Sequence, residues 1–180
     1  ADATKADGAI ENAIARLADF DRKIIKLFTP PFRSEGDPGY IAAYPPGVRE
    51  NGGQYTHGAV WLAMAALLCG KIEEGTEMLL MLLPARHDPK VYRAEDFVLA
   101  ADVAGEGQLA GRAGWSWYTG AAGWYRRAVL EVLLGITVKD GVLTVRPRVP
   151  DSWPGFSCVI KYGTAEYRIV ARRDISEPAE

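Results

Sequence analysis

The feature that most constrains this chain is a change of hydrophobic period at Gly135. Upstream, apolar residues recur at steps of three and four. Downstream they alternate, in Ile136-Thr137-Val138-Lys139, Val142-Leu143-Thr144-Val145, Phe156 to Tyr162 and Thr164 to Ala171. The first spacing stacks side chains on one face of a helix, and the second sends alternate side chains to one face of a strand. The implied fold is mainly α with a C-terminal β part, a first domain over 1–135 and a second over 136–173. Asp140-Gly141, between two alternating runs, is a hairpin turn signal.

Within the helical part, Ile10, Ile14, Leu17, Ile24, Leu27 and Phe28 trace an amphipathic helix over about residues 8–28, ended by Pro30-Pro31. Residues 29–54 are rich in proline and glycine and form a long irregular loop, a kind of segment that is usually functional in a compact domain. Residues 55–69 then read as a helix apolar nearly all round, which implies burial on every side. Gly70 stops it, and a shorter helix over 73–83 completes an αα-hairpin. After a polar connector (86–92), a small apolar segment (94–103) and a glycine-rich loop (105–114), a third helix runs over about 121–134. Trp124, Ala128, Val129, Val132 and Leu133 are its apolar set. So few elements leave the apolar helix faces short of cover, so the chain reads as one piece of a larger enzyme. Its partners are then the rest of the parent polypeptide or, through the exposed helix faces, further copies of itself. The tail 174–180 has no apolar period and is expected to be disordered.

Composition removes several classes. With 48% hydrophobic and 24% charged residues over 180 positions, the chain is globular. A net charge of −2 with scattered lysine and arginine gives no nucleic-acid footprint and no polybasic membrane anchor. Cys69 and Cys158 make neither a metal-ligand spacing nor a disulfide framework, which fits a reducing, cytoplasmic compartment. Val60 to Cys69, the longest apolar run, is far short of the roughly 20 residues of a membrane span. The N-terminal residues lack a signal-peptide pattern, so the segment is expected neither to span a membrane nor to be secreted.

The chemistry concentrates in two segments that each run into an apolar helix: Tyr44-Pro45-Pro46-Gly47-Val48-Arg49-Glu50-Asn51-Gly52-Gly53-Gln54-Tyr55-Thr56-His57, and Gly114-Trp115-Ser116-Trp117-Tyr118-Thr119-Gly120-Ala121-Ala122-Gly123-Trp124. Helix N-termini present free N–H groups and favour anions. His57 opens one helix, where an imidazole can donate to a phosphate or sugar oxygen; the plainer alternative is a histidine bonded to its own loop. Thr119-Gly120 precedes the other, either as a simple N-cap or as a seat for a phosphate edge. Trp115, Trp117, Tyr118, Trp124 and Tyr55 offer faces for pyranose rings, although such clusters more often form core. Gly105-Glu106-Gly107-Gln108-Leu109-Ala110 imitates a dinucleotide fingerprint but lacks the βαβ context. Glu50, Glu95 and Asp96 are the acids flanked by such loops, and they form no clear catalytic pair. His87, alone in polar connector, reads as a surface residue. No metal site is indicated.

At these two segments the chain resembles glycoside hydrolase family 94, the inverting β-glucoside phosphorylases that include cellobiose and chitobiose phosphorylases. GYIAAYPPGVRENGGQYTH and GRAGWSWYTGAAGWYRRAVLEVLLGI look most like the C-terminal phosphorylase-type region of cyclic β-1,2-glucan synthases, and the likeness runs over about residues 8–171. The resemblance implies the last helices of an (α/α)6 barrel followed by the first strands of a C-terminal β-domain. It implies phosphate binding by His57, Thr119 and Gly120, and a sugar site that includes Tyr44 and Arg49. Glu50, Gln54 and Trp117, in the same two segments, complete the candidate substrate-binding set. Inorganic phosphate is the expected co-substrate, a β-glucan or β-glucoside the expected substrate, and no cofactor is expected.

Two departures from the family pattern matter. The general-acid Asp of the family lies upstream of this segment, so no catalytic residue is expected in this chain and the isolated chain is expected to be inactive. The glutamine that cellobiose-type members carry after an EPY motif has no counterpart in Glu95 to Ala101, which argues against a strict disaccharide substrate. The parent, taken as bacterial, can be associated with the inner membrane. A second reading, of another class, is a non-catalytic carbohydrate-binding module that uses the Trp115–Tyr118 aromatics.

Overall fold

The computed structural model describes residues 3–33, 36–117 and 119–173, with the side chain of Thr119 excepted. The chain is a mixture of helices and small antiparallel sheets. It divides into two compact units, Ala1–Arg148 and Val149–Glu180.

Helix α1 spans Ala3–Leu17 and then gives way to a two-stranded hairpin, β1 (Ala18–Asp19) with β2 (Ile24–Ile25). The expected single helix to residue 28 is therefore corrected. Asp19 Oδ1 accepts the Arg22 N–H at 2.9 Å, and Lys23 adopts φ 57, so the chain reverses instead of continuing to wind. Ile24 and Ile25 are 1% and 2% exposed. Neighbouring residues buried together suit a short strand covered on both faces, a pattern that the helical spacing of Ile24, Leu27 and Phe28 imitates.

Residues 26–53 are irregular apart from a 3-10 turn at Gly39–Ala43, as far as they are described. Strand β3 (Gln54–Tyr55) leads straight into α2 (Thr56–Leu68), and α3 (Ile72–Met81) folds back on it. Helix α2 buries one face, Thr56, Ala59, Val60, Ala63, Ala66 and Leu67, at steps of three and four. It is not buried on every side: Trp61 and Leu68 are 51% and 57% exposed. The chain places α1, α3 and α5 against α2; Trp124 of α5 meets Trp61 edge-on at 5.4 Å, and the elements described leave Leu68 and half of Trp61 exposed.

A single-turn helix, α4 (Pro89–Tyr92), is capped by Asp88, whose side chain accepts the Lys90 N–H. Strand β4 (Asp102–Val103) pairs antiparallel with β3 in the register Gln54 to Val103 and Tyr55 to Asp102. Helix α5 (Thr119–Arg127) continues into a π-helical stretch, Ala128–Leu133. Gly135 then takes φ 65, where a Cβ would overlap the Arg146 carbonyl, so the helix end and the next hairpin meet only because this residue is glycine. That hairpin, β5 (Ile136–Lys139) with β6 (Val142–Val145), turns at Asp140-Gly141 with φ 51 and 76, the signs that a type I′ turn requires.

The helix-to-strand change lies at Gly135, whereas the division between compact units lies at residue 148. The Arg146 N–H bonds the Gly135 carbonyl, and the Arg148 N–H bonds the Leu133 carbonyl, so the β5–β6 hairpin stays with the helices. In the second unit, β7 (Gly155–Tyr162) pairs with β8 (Ala165–Arg172) through eight residue pairs. The expected disordered tail, 174–180, lies outside the described residues.

Candidate functional site

The first signature segment is held by backbone contacts that its glycines and Gly105 permit. The Gly47 N–H bonds the Asn51 carbonyl at 2.7 Å, the Gly53 N–H bonds the Arg49 carbonyl at 3.0 Å, and the Gly105 N–H bonds the Gly47 carbonyl at 2.7 Å. A Cβ on Gly53 would lie 2.8 Å from Arg49 N, and one on Gly105 would lie 3.0 Å from the Gly52 carbonyl oxygen. The fingerprint-like glycines near 105 thus serve to pack one loop on another, and the residues after them form a 3-10 turn over Gly107–Leu109 in place of a phosphate-cradling helix.

This knot places Arg49 at φ 49, a conformation that a side-chain-bearing residue keeps only when its surroundings impose it. Its guanidinium carbon lies 5.5 Å from the Tyr44 ring centre and 5.8 Å from that of Trp115, and its Nε lies 3.5 Å from Glu50 Oε2. Both of those polar atoms are buried without a hydrogen bond among the described residues. Tyr44, Arg49 and Glu50 therefore form one group, with Trp115 as the member from the second segment.

Asn51 and Gln54 lie beneath that group, each 1% exposed. Asn51 receives the Phe32 N–H at 2.8 Å and donates to the carbonyls of Phe32 and Tyr44, both at 2.9 Å. Gln54 Oε1 accepts the Ile25 N–H at 2.9 Å, and its Nε2 donates to Thr56 Oγ1 at 3.4 Å. The Gln54 amide is thus occupied by the protein's own groups, linking β2 to the start of α2.

His57 lies in the first turn of α2. A Cβ on Gly120 would stand 3.5 Å from its Nδ1, an ordinary van der Waals distance, so the start of α5 comes up to the imidazole edge. The Trp61 ring meets the imidazole edge-on at 4.8 Å, with Trp124 tilted at 6.0 Å and Tyr55 parallel at 6.4 Å. Nε2 of His57 is buried without a hydrogen-bond partner among the described residues. His57 and Gly120, 63 positions apart in sequence, are therefore neighbours. The side chain of Thr119 and all of Tyr118 lie outside the described residues.

Trp117 belongs to a different neighbourhood. It has φ 65, is 67% exposed, donates its indole N–H to Glu95 Oε1 at 3.2 Å and meets Phe97 edge-on at 6.1 Å. The Glu95 carboxyl is held below the usual range by its own backbone N–H, then by Ser116 and Trp117. Trp115 rests on Arg49 while Trp117 rests on Phe97, so these two tryptophans do not assemble as one aromatic cluster, and Tyr118 lies outside the described residues. That removes the basis of the carbohydrate-binding-module reading.

His87 is also corrected. Its Nε2 lies 2.8 Å from the Met81 carbonyl and its ring stacks on Tyr92 at 4.8 Å, so it is a half-buried structural histidine.

Sequence reasoning missed Asp102. It is 5% exposed, and its carboxyl is pushed up by burial, against the opposing pull of the Trp115 N–H and the Arg49 charge. The only sequence signal is a carboxylate inside an apolar run, Leu99-Ala100-Ala101-Asp102-Val103, where a solvated acid has no place. No group of three or more potential metal-ligating acids, histidines or cysteines occurs among the described residues. No described helix is long and apolar enough to cross a membrane.

The description "Glycosyl hydrolase 94 superfamily, catalytic domain" matches residues 1–135. Over 172 residues the chain is 47% identical to the cyclic beta-(1,2)-glucan synthase NdvB of Rhizobium meliloti, a match covering 92% of this chain and 6% of that protein. It is 29% identical over 149 residues to an N,N'-diacetylchitobiose phosphorylase of Vibrio proteolyticus, covering 81% of this chain and 19% of that one. It is 28% identical over 137 residues to a solabiose phosphorylase of Paenibacillus borealis, covering 74% and 18%. The chain thus spans less than a fifth of the length of each of these relatives.

Proposed function

The chain belongs to the glycosyl hydrolase 94 superfamily, and from that premise we propose that it is a portion of an inverting β-glucan or β-glucoside phosphorylase-type enzyme of the cyclic β-1,2-glucan synthase kind. Its helices are the last of an (α/α)6 barrel, and its strands begin a C-terminal β-domain. The share of each relative that the chain spans supports the barrel being completed by other segments, as does the exposure of Trp61 and Leu68 on α2.

The observation that carries the reading is the approach of Gly120 to His57. An imidazole, the free N–H groups that open α5 and an exposed glycine meet at one point, a donor set suited to a phosphate dianion. His57, Thr119 and Gly120 hold phosphate. Tyr44, Arg49 and Glu50 face the sugar, Trp117 borders it, and Gln54 braces the loop. Phosphate attacks the anomeric carbon, the glycosidic bond breaks, and an aspartic acid outside these 180 residues protonates the departing oxygen.

Glucose 1-phosphate release from β-1,2-glucan by the full-length protein tests this. His57→Ala should lower it by about two orders of magnitude, the scale at which one preorganised donor counts. Unchanged release overturns the assignment.

A further inference from the structure

Asp102 lies in the middle of three extended segments. On one side β4 pairs with β3, and the Thr56 N–H bonds the Ala101 carbonyl at 2.9 Å. On the other, the Gly114 N–H bonds the Asp102 carbonyl at 2.9 Å, the Ala101 N–H bonds the Trp115 carbonyl at 2.6 Å, and Val103 bridges to Ala113. One strand therefore fastens both signature segments, and Asp102 is its polar member.

Its side chain continues that fastening. Asp102 Oδ1 accepts the Trp115 N–H at 3.3 Å, and a Cβ on Gly114 would overlap the carboxyl, so Gly114 leaves the space the carboxyl occupies. The Trp115 ring in turn lies 5.8 Å from the Arg49 guanidinium, whose charge reaches Asp102. Glu50 and Tyr92 are the other titratable groups facing it. A buried carboxyl among such neighbours is costly unless an acceptor is needed there.

We infer that Asp102 is a positioning residue: by fixing the Trp115 main chain under Gly114, it holds the indole against Arg49 and so sets the sugar-facing side of the site. The inference rests on the proposed role of Arg49 toward sugar.

The test uses the full-length protein with Asp102→Ala, Asp102→Asn and Gly114→Ala. Asp102→Ala should raise the KM for β-1,2-glucan about tenfold while the KM for phosphate stays within about twofold, since the lost contact serves only one substrate. Gly114→Ala, which displaces the same carboxyl, should give the same split and decides the matter if Asp102→Ala does not fold. Asp102→Asn keeps an acceptor of the same size and should restore the glucan KM. Hydrogen exchange of segments 44–56 and 112–117 should quicken in the first and third variants and not in the second. Equal changes in both KM values, or an asparagine variant as impaired as alanine, would overturn the inference. Failure of the wild-type protein to release glucose 1-phosphate would overturn the functional reading instead. Hydrogen exchange alone would then decide whether Asp102 holds the two segments.

Discussion

Asn51 shows how much a single polar residue can organise. Its amide joins Phe32 and Tyr44 across the long loop, with every bond at 2.8 or 2.9 Å and almost no exposure. Asn51→Ala strands one N–H and two carbonyls, and should lower folding stability by about 2–4 kcal/mol in urea denaturation. A loss below about 0.5 kcal/mol would mean the loop is held by other means. His87 carries a pH dependence. A carbonyl only accepts, so Nε2 bears the proton donated to Met81, and burial holds the imidazole pKa below its ordinary 6.5, with the Lys23 charge adding to the effect. Because the folded value lies below the unfolded one, this contribution is present above pH 6.5 and is lost as pH falls through the lowered value. The urea midpoint should therefore fall between about pH 7 and pH 5, and less steeply in His87→Gln. Equal slopes would exclude His87 as the source. The place of His57 at the start of α2 was legible at this scale, because the residues from Tyr55 onward read as an apolar helix. Its proximity to Gly120 was not, since no spacing rule links residues 63 positions apart.

At the scale of elements, the sequence was read well where a local signal and tertiary packing agree. The turn at Asp140-Gly141 and the αα-hairpin about Gly70 appear where turn chemistry puts them. It was misread at residues 18–25, where Ile24, with Leu27 and Phe28, satisfies a helical spacing by coincidence and Asp19 closes a turn instead. Helix α2 was half right. An all-apolar helix does pack one face here, and its other face carries Trp61 and Leu68 into solvent. Paired substitution Trp61→Lys and Leu68→Lys should leave the helical content of the isolated chain unchanged by circular dichroism. It should also reduce any self-association seen by sedimentation, since both side chains are more than half exposed. Equal association in both proteins would show that another surface is responsible.

At the scale of the molecule, the proposed reading puts the proton donor outside these residues, and three acids near the two signature segments are held by the protein's own groups. Glu50 faces Arg49, Glu95 is held ionised by three donors, and Asp102 is enclosed beneath the loops. The isolated 180-residue chain should accordingly release no glucose 1-phosphate under conditions in which the full-length protein does; measurable release would place the acid inside this chain. The sequence by itself determined the αα-hairpin, the change from helix to strand at Gly135 and the two glycine-rich segments, which follow from periodicity and backbone permissiveness, both local properties; the family followed from the resemblance of those two segments to its motifs. Only the tertiary structure decided which face of α2 is covered, that Gly120 meets His57, that Trp115 and Trp117 part company, and that Asp102 lies beneath both segments. Those outcomes depend on the pairing of β3 with β4 and on glycine contacts between distant loops, where a backbone's close approach is set by its neighbours rather than by its own residues.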